Sequence, residues 1–385
     1  MYRLINPIRR YDWGSTTLLQ DFCGLEADGR PAAEMWMGAH PDDPSRVVEG
    51  GAEVPLDAVI AADPERALGR RVMAAFGPRL PFLAKFLAAG SPLSLQVHPS
   101  TAQAQQGFDD ENARGVAMDD PARRYRDRAH KPELLYALTP FELMARLREP
   151  TASADLLAEL DVPALDPFVS LLRESSGEPH RKVFASLLAD RHTAPAWIEG
   201  VVAAAARLAP RRPEFATILE LDKRFPGDTG LLAPLLLNYE QLAPGDTVFT
   251  PDGALHAYVR GLGIEVMASS DNVLRAGLTS KAVDVPEVLR IADFSSAPER
   301  HLVAQDLDFH ATVADFALAI LRATPGSPAT GPADGPRIAM GIEGSTTLSS
   351  STERITLTRG QSVFLPDADG PLAVDGAGRV AVAHV

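Results

Sequence analysis

A short polar face is predicted in the segment 93–99, whose sequence is LSLQVHP. Side chains alternate between the two faces of a β-strand, so Ser94, Gln96 and His98 point one way and the leucines and valine point the other. The apolar face suits a hydrophobic core. The polar face carries an amide oxygen and an imidazole two residues apart, and this spacing lets both groups reach one metal ion.

Two further segments offer metal ligands. Glu133 ends the sequence HKPE at 130–133, directly before an apolar run, and His256 lies far along the chain. With Gln96 and His98 they would supply two nitrogen and two oxygen ligands, a mixture that zinc accepts while keeping a position for water or substrate. Iron and manganese tolerate the same mixture, so the ligand types alone leave the metal open.

The elements that must position these side chains are mainly strands. Residues 1–100 combine short apolar runs with Gly and Pro, a pattern typical of strands, turns and a few helices. Between Ser153 and Leu208 the apolar residues change to helical spacing, and the alanine-rich run 201–208 has high helix propensity. Strand character returns after residue 225. We therefore expect a helical domain inserted into a β-rich protein.

An internal repeat links 242–251 (LAPGDTVFTP) with 357–366 (LTRGQSVFLP). In both copies a glycine turn leads into a strand that a proline closes. Two small β-barrels or jelly rolls of cupin type would produce such a repeat. His256 follows the first copy, whereas the second copy is followed by no histidine until His384. Metal chemistry is therefore expected in the first barrel.

The predicted fold class is mainly β, with two cupin-like jelly-roll barrels and an inserted α-helical domain. The predicted domains are a cupin-like catalytic domain of residues 1–150 plus 226–300, a helical domain of residues 151–225, and a C-terminal cupin-like β domain of residues 301–385 without metal ligands.

Composition limits the partners. The chain has 385 residues and a net charge of −14, which argues against a nucleic-acid partner but allows a small anion where basic residues converge. No run reaches the ~18 consecutive apolar residues of a membrane helix, and the start shows no signal peptide. Cys23 is the single cysteine, which excludes an internal disulfide and fits a reducing compartment. We expect a cytoplasmic, monomeric protein without a membrane partner.

Several sequence blocks follow one another along most of the chain. They are 11–14 (YDWG), 31–41 (PAAEMWMGAHP), 80–85 (LPFLAK), 94–99 (SLQVHP), 130–133 (HKPE), 225–228 (FPGD), 235–238 (LLLN), 256–258 (HAY) and 264–281 (IEVMASSDNVLRAGLTSK). In content and order these blocks resemble the type I mannose-6-phosphate isomerases. Residues 300–385 match the family loosely, and the helical insert hardly matches. A small departure is Arg128-Ala129 before His130, where the family usually has an asparagine beside the histidine.

The resemblance implies one zinc ion per chain, held by Gln96, His98, Glu133 and His256, the set that the residues themselves suggest. It also implies an aldose–ketose isomerase that interconverts D-mannose 6-phosphate and D-fructose 6-phosphate through an enediol. A sugar phosphate is thus the expected small-molecule partner.

Such a reaction requires a general base that faces C2 of the sugar. Lys131, between two predicted site residues, and Glu265, beyond a predicted turn at Gly261–Gly263, are the candidates. Arg275 would stabilise the enediolate or bind the phosphate, because a guanidinium donates paired hydrogen bonds to either group. The further substrate-binding candidates are Ser94, Lys85, Tyr258 and Lys281.

Two alternatives stay open. An iron-dependent cupin oxygenase would use a similar scaffold, but such sites usually combine imidazoles with at most one carboxylate, and a glutamine ligand argues against it. A cupin that binds a sugar phosphate without turnover is the second alternative. The presence of Lys131, Glu265 and Arg275 argues against this binding module, since no catalytic part is missing.

Overall fold

The structure is a computed structural model of the 385-residue chain, and it describes residues 1–174, 177–191, 193, 195–298, 301–302, 308–351 and 353–385. Among these residues the strands are β1 (Tyr2–Arg3), β2 (Ile8–Arg9), β3 (Glu34–Met37), β4 (Arg46–Glu49), β5 (Ala52–Pro55), β6 (Phe82–Ala89), β7 (Leu95–Val97), β8 (Glu133–Ala137), β9 (Phe141–Leu147), β10 (Leu237–Leu242), β11 (Thr247–Thr250), β12 (His256–Ala268), β13 (Leu274–Gly277), β14 (Asp308–His310), β15 (Ala317–Ala323), β16 (Ala329–Thr330), β17 (Arg337–Ser349), β18 (Arg354–Thr358), β19 (Ser362–Leu365) and β20 (Ala373–His384).

The α-helices of the described residues are α1 (Leu18–Cys23), α2 (Leu56–Ala62), α3 (Pro64–Phe76), α4 (Thr101–Ala113), α5 (Pro150–Glu159), α6 (Asp166–Leu172), α7 (Pro179–Asp190), α8 (Trp197–Leu208), α9 (Pro213–Arg224), α10 (Ala233–Leu236) and α11 (Val285–Ile291). Short 3-10 turns lie at Pro163–Leu165, Thr229–Leu232 and Asp367–Asp369. None of the helices in the described ranges combines the length and the apolar character needed to cross a bilayer. The predicted mainly β fold with inserted helices is confirmed.

The strands form two large antiparallel sheets. The ten-stranded sheet has the order β10-β9-β12-β6-β3-β2, with β7, β8, β11 and β13 attached around β12. The eight-stranded sheet has the order β1-β19-β17-β20-β15-β14. One apolar core lies between them, and it joins Phe86 and Ile264 of the first sheet to Leu318 and Met340 of the second. The N-terminal strand β1 pairs with β19, so the chain begins in the second sheet, which the sequence patterns did not indicate.

Strand β12 pairs directly with most of the strands that carry the predicted site, and β13, with Arg275, joins through β7. Strand β12 pairs with β6, β7, β8 and β9 along its length. The predicted turn at Gly261–Gly263 is wrong, because these residues continue the strand. A register shift against β9 between Tyr258 and Arg260 accompanies a positive φ of 130° at Gly261, where a Cβ would lie 2.6 Å from the Phe141 ring. Glycine is needed here because the strand is bent closely over its neighbour.

The helices α5–α10 lie between β9 and β10, which pair with each other, so the helical segment leaves and re-enters the sheet at one place. Its last helix, α10, ends at Leu236, directly before β10. Its apolar face packs on Leu95 and Val97 of β7, which are buried as the alternation predicted. Burial of each such side chain contributes about 1.5–3 kcal/mol, so the insert also fixes the strand that presents Gln96.

The two copies of the sequence repeat have the same local structure. Gly245 and Gly360 adopt positive φ values of 103° and 80°, and each turn leads into a short strand, β11 or β19. The proline at the end of each copy follows the last strand residue. The turn chemistry inferred from the repeat is therefore confirmed for both copies.

His130 connects the two sheets. Its Nδ1 lies 3.2 Å from a carboxylate oxygen of Asp252, and its Nε2 lies 3.0 Å from one of Asp315, in the loop between β14 and β15. Burial lowers the pKa of His130, but the two carboxylates outweigh it and raise the pKa to about 9. An unfolded histidine titrates near ~6.5, so the charged form is favoured in the folded state.

We predict that the contribution of His130 to the free energy of unfolding decreases as the pH rises. Its contribution is complete below about pH 6.5 and is lost as the pH passes through about 9, since the neutral imidazole no longer pairs with two carboxylates. His130→Asn should lower the free energy of unfolding by about 1–2 kcal/mol at low pH, after allowance for solvent screening, and by less above pH 9. Urea unfolding at several pH values measures this difference. His301→Asn removes an exposed pair with Glu240 and serves as the control. An equal loss for His130→Asn at every pH would contradict the prediction.

Candidate metal centre and active-site cavity

The Glu133 carboxylate, at the start of β8, lies buried between two histidines. Its Oε1 is 3.3 Å from Nε2 of His98, and its Oε2 is 3.3 Å from Nε2 of His256. Lys131 donates a further short hydrogen bond to Oε1. These positive or polar neighbours outweigh burial and hold the pKa of Glu133 well below its ordinary range. The carboxylate is therefore ionised and can act as an oxygen ligand.

The two imidazoles are oriented as metal ligands. Nδ1 of His98 lies 2.9 Å from the backbone oxygen of Asn272, and Nδ1 of His256 lies 3.0 Å from that of Ala254. A carbonyl oxygen only accepts, so in the neutral ring Nδ1 carries the proton and Nε2 presents its lone pair. Backbone partners of this kind commonly orient metal-binding histidines.

The converging lone pairs fit a cation between them. Burial and the charge of Lys131 lower the pKa of His98 to about 4, so this ring is neutral. Its Nε2 is buried and makes no hydrogen bond among the described residues, although it faces the Glu133 oxygen. Three ligand atoms from His98, Glu133 and His256 lie within 4.8 Å of one another. Two nitrogens and an ionised oxygen in this arrangement suit a zinc-like ion.

Gln96 belongs to the same group by its strand position. On β7 it is the direct cross-strand partner of His256, and on the opposite side of β7 it pairs with Arg275 of β13. Its amide nitrogen lies 3.5 Å from the hydroxyl of Ser94, one strand period earlier. The expected convergence of the three ligand segments is thus produced by the pairing of β7, β8 and β12.

A cavity of about 460 Å³ opens beside this centre. Six predicted site side chains line it: Ser94, Gln96, Lys85, Lys131, Arg275 and Lys281. Glu265 and Tyr258 do not line it, because they are buried behind Lys85. The structure therefore brings the predicted residues into one region but divides them into a cavity-facing set and a supporting pair.

Lys85 is held by two carboxylates. Its Nζ lies 2.8 Å from Oε2 of Glu265 and 3.6 Å from Oε1 of Glu34, and Glu265 also accepts a 2.8 Å hydrogen bond from the hydroxyl of Tyr258. Burial alone would lower the pKa of Lys85, but the charges of Glu265 and Glu34 outweigh it and raise the pKa above its ordinary value. Lys85 is therefore a permanent cation, and Glu265 has both oxygens occupied.

Sequence reasoning missed several residues of the cavity wall. Glu34 accepts a 2.6 Å hydrogen bond from the indole of Trp36, and His40 lies 3.3 Å from the carboxylate of Asp271. Glu34, His40 and Asp271 all belong to sequence blocks that carried the family resemblance. Their presence in those blocks was the available signal. Local periodicity gave none for His40 and Asp271, which lie far apart in sequence and meet only in the folded chain, or for the approach of Glu34 to Lys85, which depends on the pairing of β3 with β6.

Comparison with characterised proteins decides the family. The mannose-6-phosphate isomerase of Escherichia coli (strain K12) is 38% identical over 390 aligned residues, which cover 99% of this chain and 98% of that protein. This chain belongs to the type I phosphomannose isomerase family. The family's catalytic-domain model matches residues 1–149, and the mannose-6-phosphate isomerase cupin-domain model matches residues 306–385. The latter match, with the curled sheets, confirms the expected cupin-like fold.

Solved structures of the family agree with this assignment over the whole chain. A variant of phosphomannose isomerase from Salmonella typhimurium has a TM-score of 0.92 at 36% identity, covering 100% of this chain and 99% of that chain. A mannose 6-phosphate isomerase bound with zinc and yttrium has a TM-score of 0.90 at 36% identity, with the same coverage. A more distant relative from Schizosaccharomyces pombe is 28% identical over 100% of this chain and 98% of its own length.

We predict that the two histidines are required for metal binding. His98→Ala and His256→Ala should each leave the purified protein with almost no bound metal, whereas the native chain should hold about one ion, because each change removes one of few buried ligands. Elemental analysis after dialysis measures this. His301→Ala, which changes an exposed histidine, is the control and should keep the metal. If either His98→Ala or His256→Ala keeps its full metal content, the ion binds elsewhere.

Proposed function

We propose that this chain is a zinc-dependent isomerase that interconverts D-mannose 6-phosphate and D-fructose 6-phosphate. The observation that carries the proposal is the convergence of the Nε2 atoms of His98 and His256 on the buried Glu133 carboxylate, beside a cavity lined by cations. Relatives that share the full length of the chain are named as mannose-6-phosphate isomerases, and one solved relative holds zinc. A sugar phosphate is the substrate class that these features fit together.

The proposed zinc ligands are Gln96, His98, Glu133 and His256. The donor set of two nitrogens and two oxygens is one that zinc takes while keeping a position open. Zinc bound there would supply Lewis acidity toward the substrate's carbonyl and hydroxyl oxygens. The buried position of Glu133 supports a ligand role, because a carboxylate without a cation or hydrogen-bond donors is costly in such a place.

The reaction moves a proton from C2 of the aldose to C1, and the hydroxyl proton at O2 is transferred toward O1. A side chain at the cavity must therefore remove the C2 proton and return it to C1. Of the two predicted bases we propose Lys131, because it lines the cavity. Its Nζ donates to Glu133 in this structure, so it would act as the base in its neutral form, once Glu133 is engaged by the metal. Glu265 is placed behind Lys85, with its oxygens engaged by Lys85 and Tyr258. Its proposed role is to fix Lys85 as a cation.

The remaining cavity residues are proposed to bind the substrate. Arg275 lies one strand away from Gln96, so its guanidinium reaches the substrate from the side opposite to His256. Lys85 donates to sugar oxygens, and Ser94 lines the same cavity beside Gln96. Lys281 is exposed at the rim. Tyr258 is proposed to act through Glu265 rather than by direct contact with the sugar.

The domain division also remains our proposal. We infer a catalytic domain of residues 1–150 plus 226–300, a helical domain of residues 151–225 and a C-terminal domain of residues 301–385. The pairing of β9 with β10 supports the insertion, while the pairing of β1 with β19 argues for moving the first residues to the last domain. A monomer in the cytoplasm is proposed as well, and the single, mostly buried thiol of Cys23 supports a reducing compartment.

We predict that purified protein converts mannose 6-phosphate to fructose 6-phosphate and that this activity depends on the metal. Chelation should abolish turnover, and zinc should restore it, because the proposed reaction needs the cation at the Glu133 centre. Product formation and metal content are measured on the same samples before and after chelation. A chelated sample that keeps its full rate would contradict the metal role. Stoichiometric metal without any fructose 6-phosphate would favour the binding module instead.

We predict that Lys131, and not Glu265, transfers the C2 proton of the substrate. With zinc retained, Lys131→Met should lower kcat by about 10²–10⁴ and stop the exchange of the C2 hydrogen of mannose 6-phosphate with deuterated solvent. Glu265→Gln should keep measurable exchange, because it removes the charge that pairs with Lys85 and leaves the base intact. The rate of deuterium incorporation, followed by NMR, separates the two. Exchange that survives in Lys131→Met but disappears in Glu265→Gln would reverse the assignment.

A further inference from the structure

A second cavity of about 770 Å³ adjoins the active-site cavity. The two share Tyr11, Asp271, Val273, Arg275 and Lys281. Arg275 and Lys281 thus stand at the boundary, with the metal centre on one side and the second cavity on the other. The far wall of the second cavity is the arginine-rich loop PARRYR, residues 121–126.

Arg124 differs from its two arginine neighbours in what its guanidinium contacts. Arg123 donates to the backbone oxygens of Tyr125 and Val116 and to a side chain, and Arg126 donates to backbone oxygens of its own loop. Arg124 donates to the oxygen of Ala122, but its Nε has no hydrogen-bond partner among the described residues. Its closest ion pair, to Asp284, is long at 3.9 Å. Part of its donor capacity is therefore unused.

Arg124, Arg275 and Lys281 form a group of like charges. Burial lowers the pKa of Arg275, and the charge of Arg124 lowers it further. The charge of Arg275, followed by burial, lowers the pKa of Lys281. Among the residues that the structure describes, neither Arg275 nor Lys281 makes an ion pair with a carboxylate. The three cations line the second cavity together with the carboxylates of Asp119, Asp271 and Asp284. Where like positive charges share a cavity wall, an anion between them is favoured.

The other cations of the active-site cavity are already neutralised. Lys85 is paired with Glu265 and Glu34, and Lys131 is bonded to Glu133. An anionic group of the substrate therefore gains most at the boundary between the two cavities. This position is one strand from Gln96, so a single sugar phosphate can extend from the metal centre to the boundary.

We propose that Arg124 binds the phosphate group of the substrate together with Arg275 and Lys281, and so determines specificity for phosphorylated sugars. The inference rests on the proposed function for the identity of the sugar phosphate. It adds a residue from a loop outside the strands that carry the predicted site. Arg124 contacts the phosphate from the second cavity, opposite to the sugar ring.

The test compares Arg124→Gln with Arg128→Gln in the zinc-loaded enzyme. Arg128 lies on the same loop but outside both cavities, where it pairs with Asp109. Arg124→Gln should raise KM for mannose 6-phosphate about tenfold or more, with kcat little changed, because one charge-assisted contact to the phosphate is lost. The inhibition constant of inorganic phosphate should rise by a similar factor. Arg124→Lys should recover part of the loss, since it restores the charge without the paired donors.

Two results would overturn the inference. One is a KM and a phosphate inhibition constant for Arg124→Gln that match those of Arg128→Gln. The other is a fall in kcat with unchanged phosphate inhibition, which would indicate a structural effect of the loop on the centre. If native protein shows no isomerisation, the proposed function has failed. Titration calorimetry with inorganic phosphate then still decides the inference, because weaker binding by Arg124→Gln supports it and equal binding refutes it.

Discussion

The ionised carboxylate of Glu133 is the constraint on which the rest of the site depends. It is 3% exposed, and burial of an uncompensated charge of this kind is strongly unfavourable. Lys131 donates to it, and His98 and His256, from separate parts of the chain, place their Nε2 atoms 3.3 Å from its oxygens, where a cation would complete the compensation. Any arrangement of strands that separates these groups leaves a buried charge without a partner. The fold and the metal centre are therefore stabilised by the same contacts.

Strand β12 satisfies that constraint because it is both long and irregular. His256 near one end faces Glu133, while Glu265 near the other end pairs with Lys85 of the adjacent β6. In a regular strand Tyr258 and Glu265, seven residues apart, would point to opposite faces. The register shift between Tyr258 and Arg260 changes this alternation, so the Tyr258 hydroxyl reaches Glu265 at 2.8 Å. The one extra residue of this bulge thus turns Tyr258 to the same face of β12 as Glu265, so that the two side chains can form a hydrogen bond.

The limits of sequence prediction in this chain follow from the range of the interactions. The polar face of β7, the histidine after the first repeat and the helical spacing of the insert are local patterns, and the structure reproduces them. The turn expected at Gly261–Gly263 was wrong, because glycine there permits close packing on Phe141 within a continuous strand. Contacts such as that of Lys85 with Glu265 depend on the pairing of strands 180 residues apart, and no local periodicity encodes that register. The same reason explains why β1 in the second sheet was not anticipated.

The two ends of the cavity differ in how far their cations are paired with carboxylates. At the end near β6 the cation of Lys85 is matched by two carboxylates, so that end offers hydrogen bonds without net attraction for an anion. At the end near β13 Arg275 is half-buried, which strengthens its field, since water screens it less. On the proposed function, a sugar phosphate entering a protein of net charge −14 would be attracted by its phosphate end toward Arg275. With the phosphate there, the C1 and C2 atoms would be directed to Gln96, Lys131 and the buried centre at Glu133. The proposed orientation of the substrate thus follows from which cations have no ion-pair partner among the described residues.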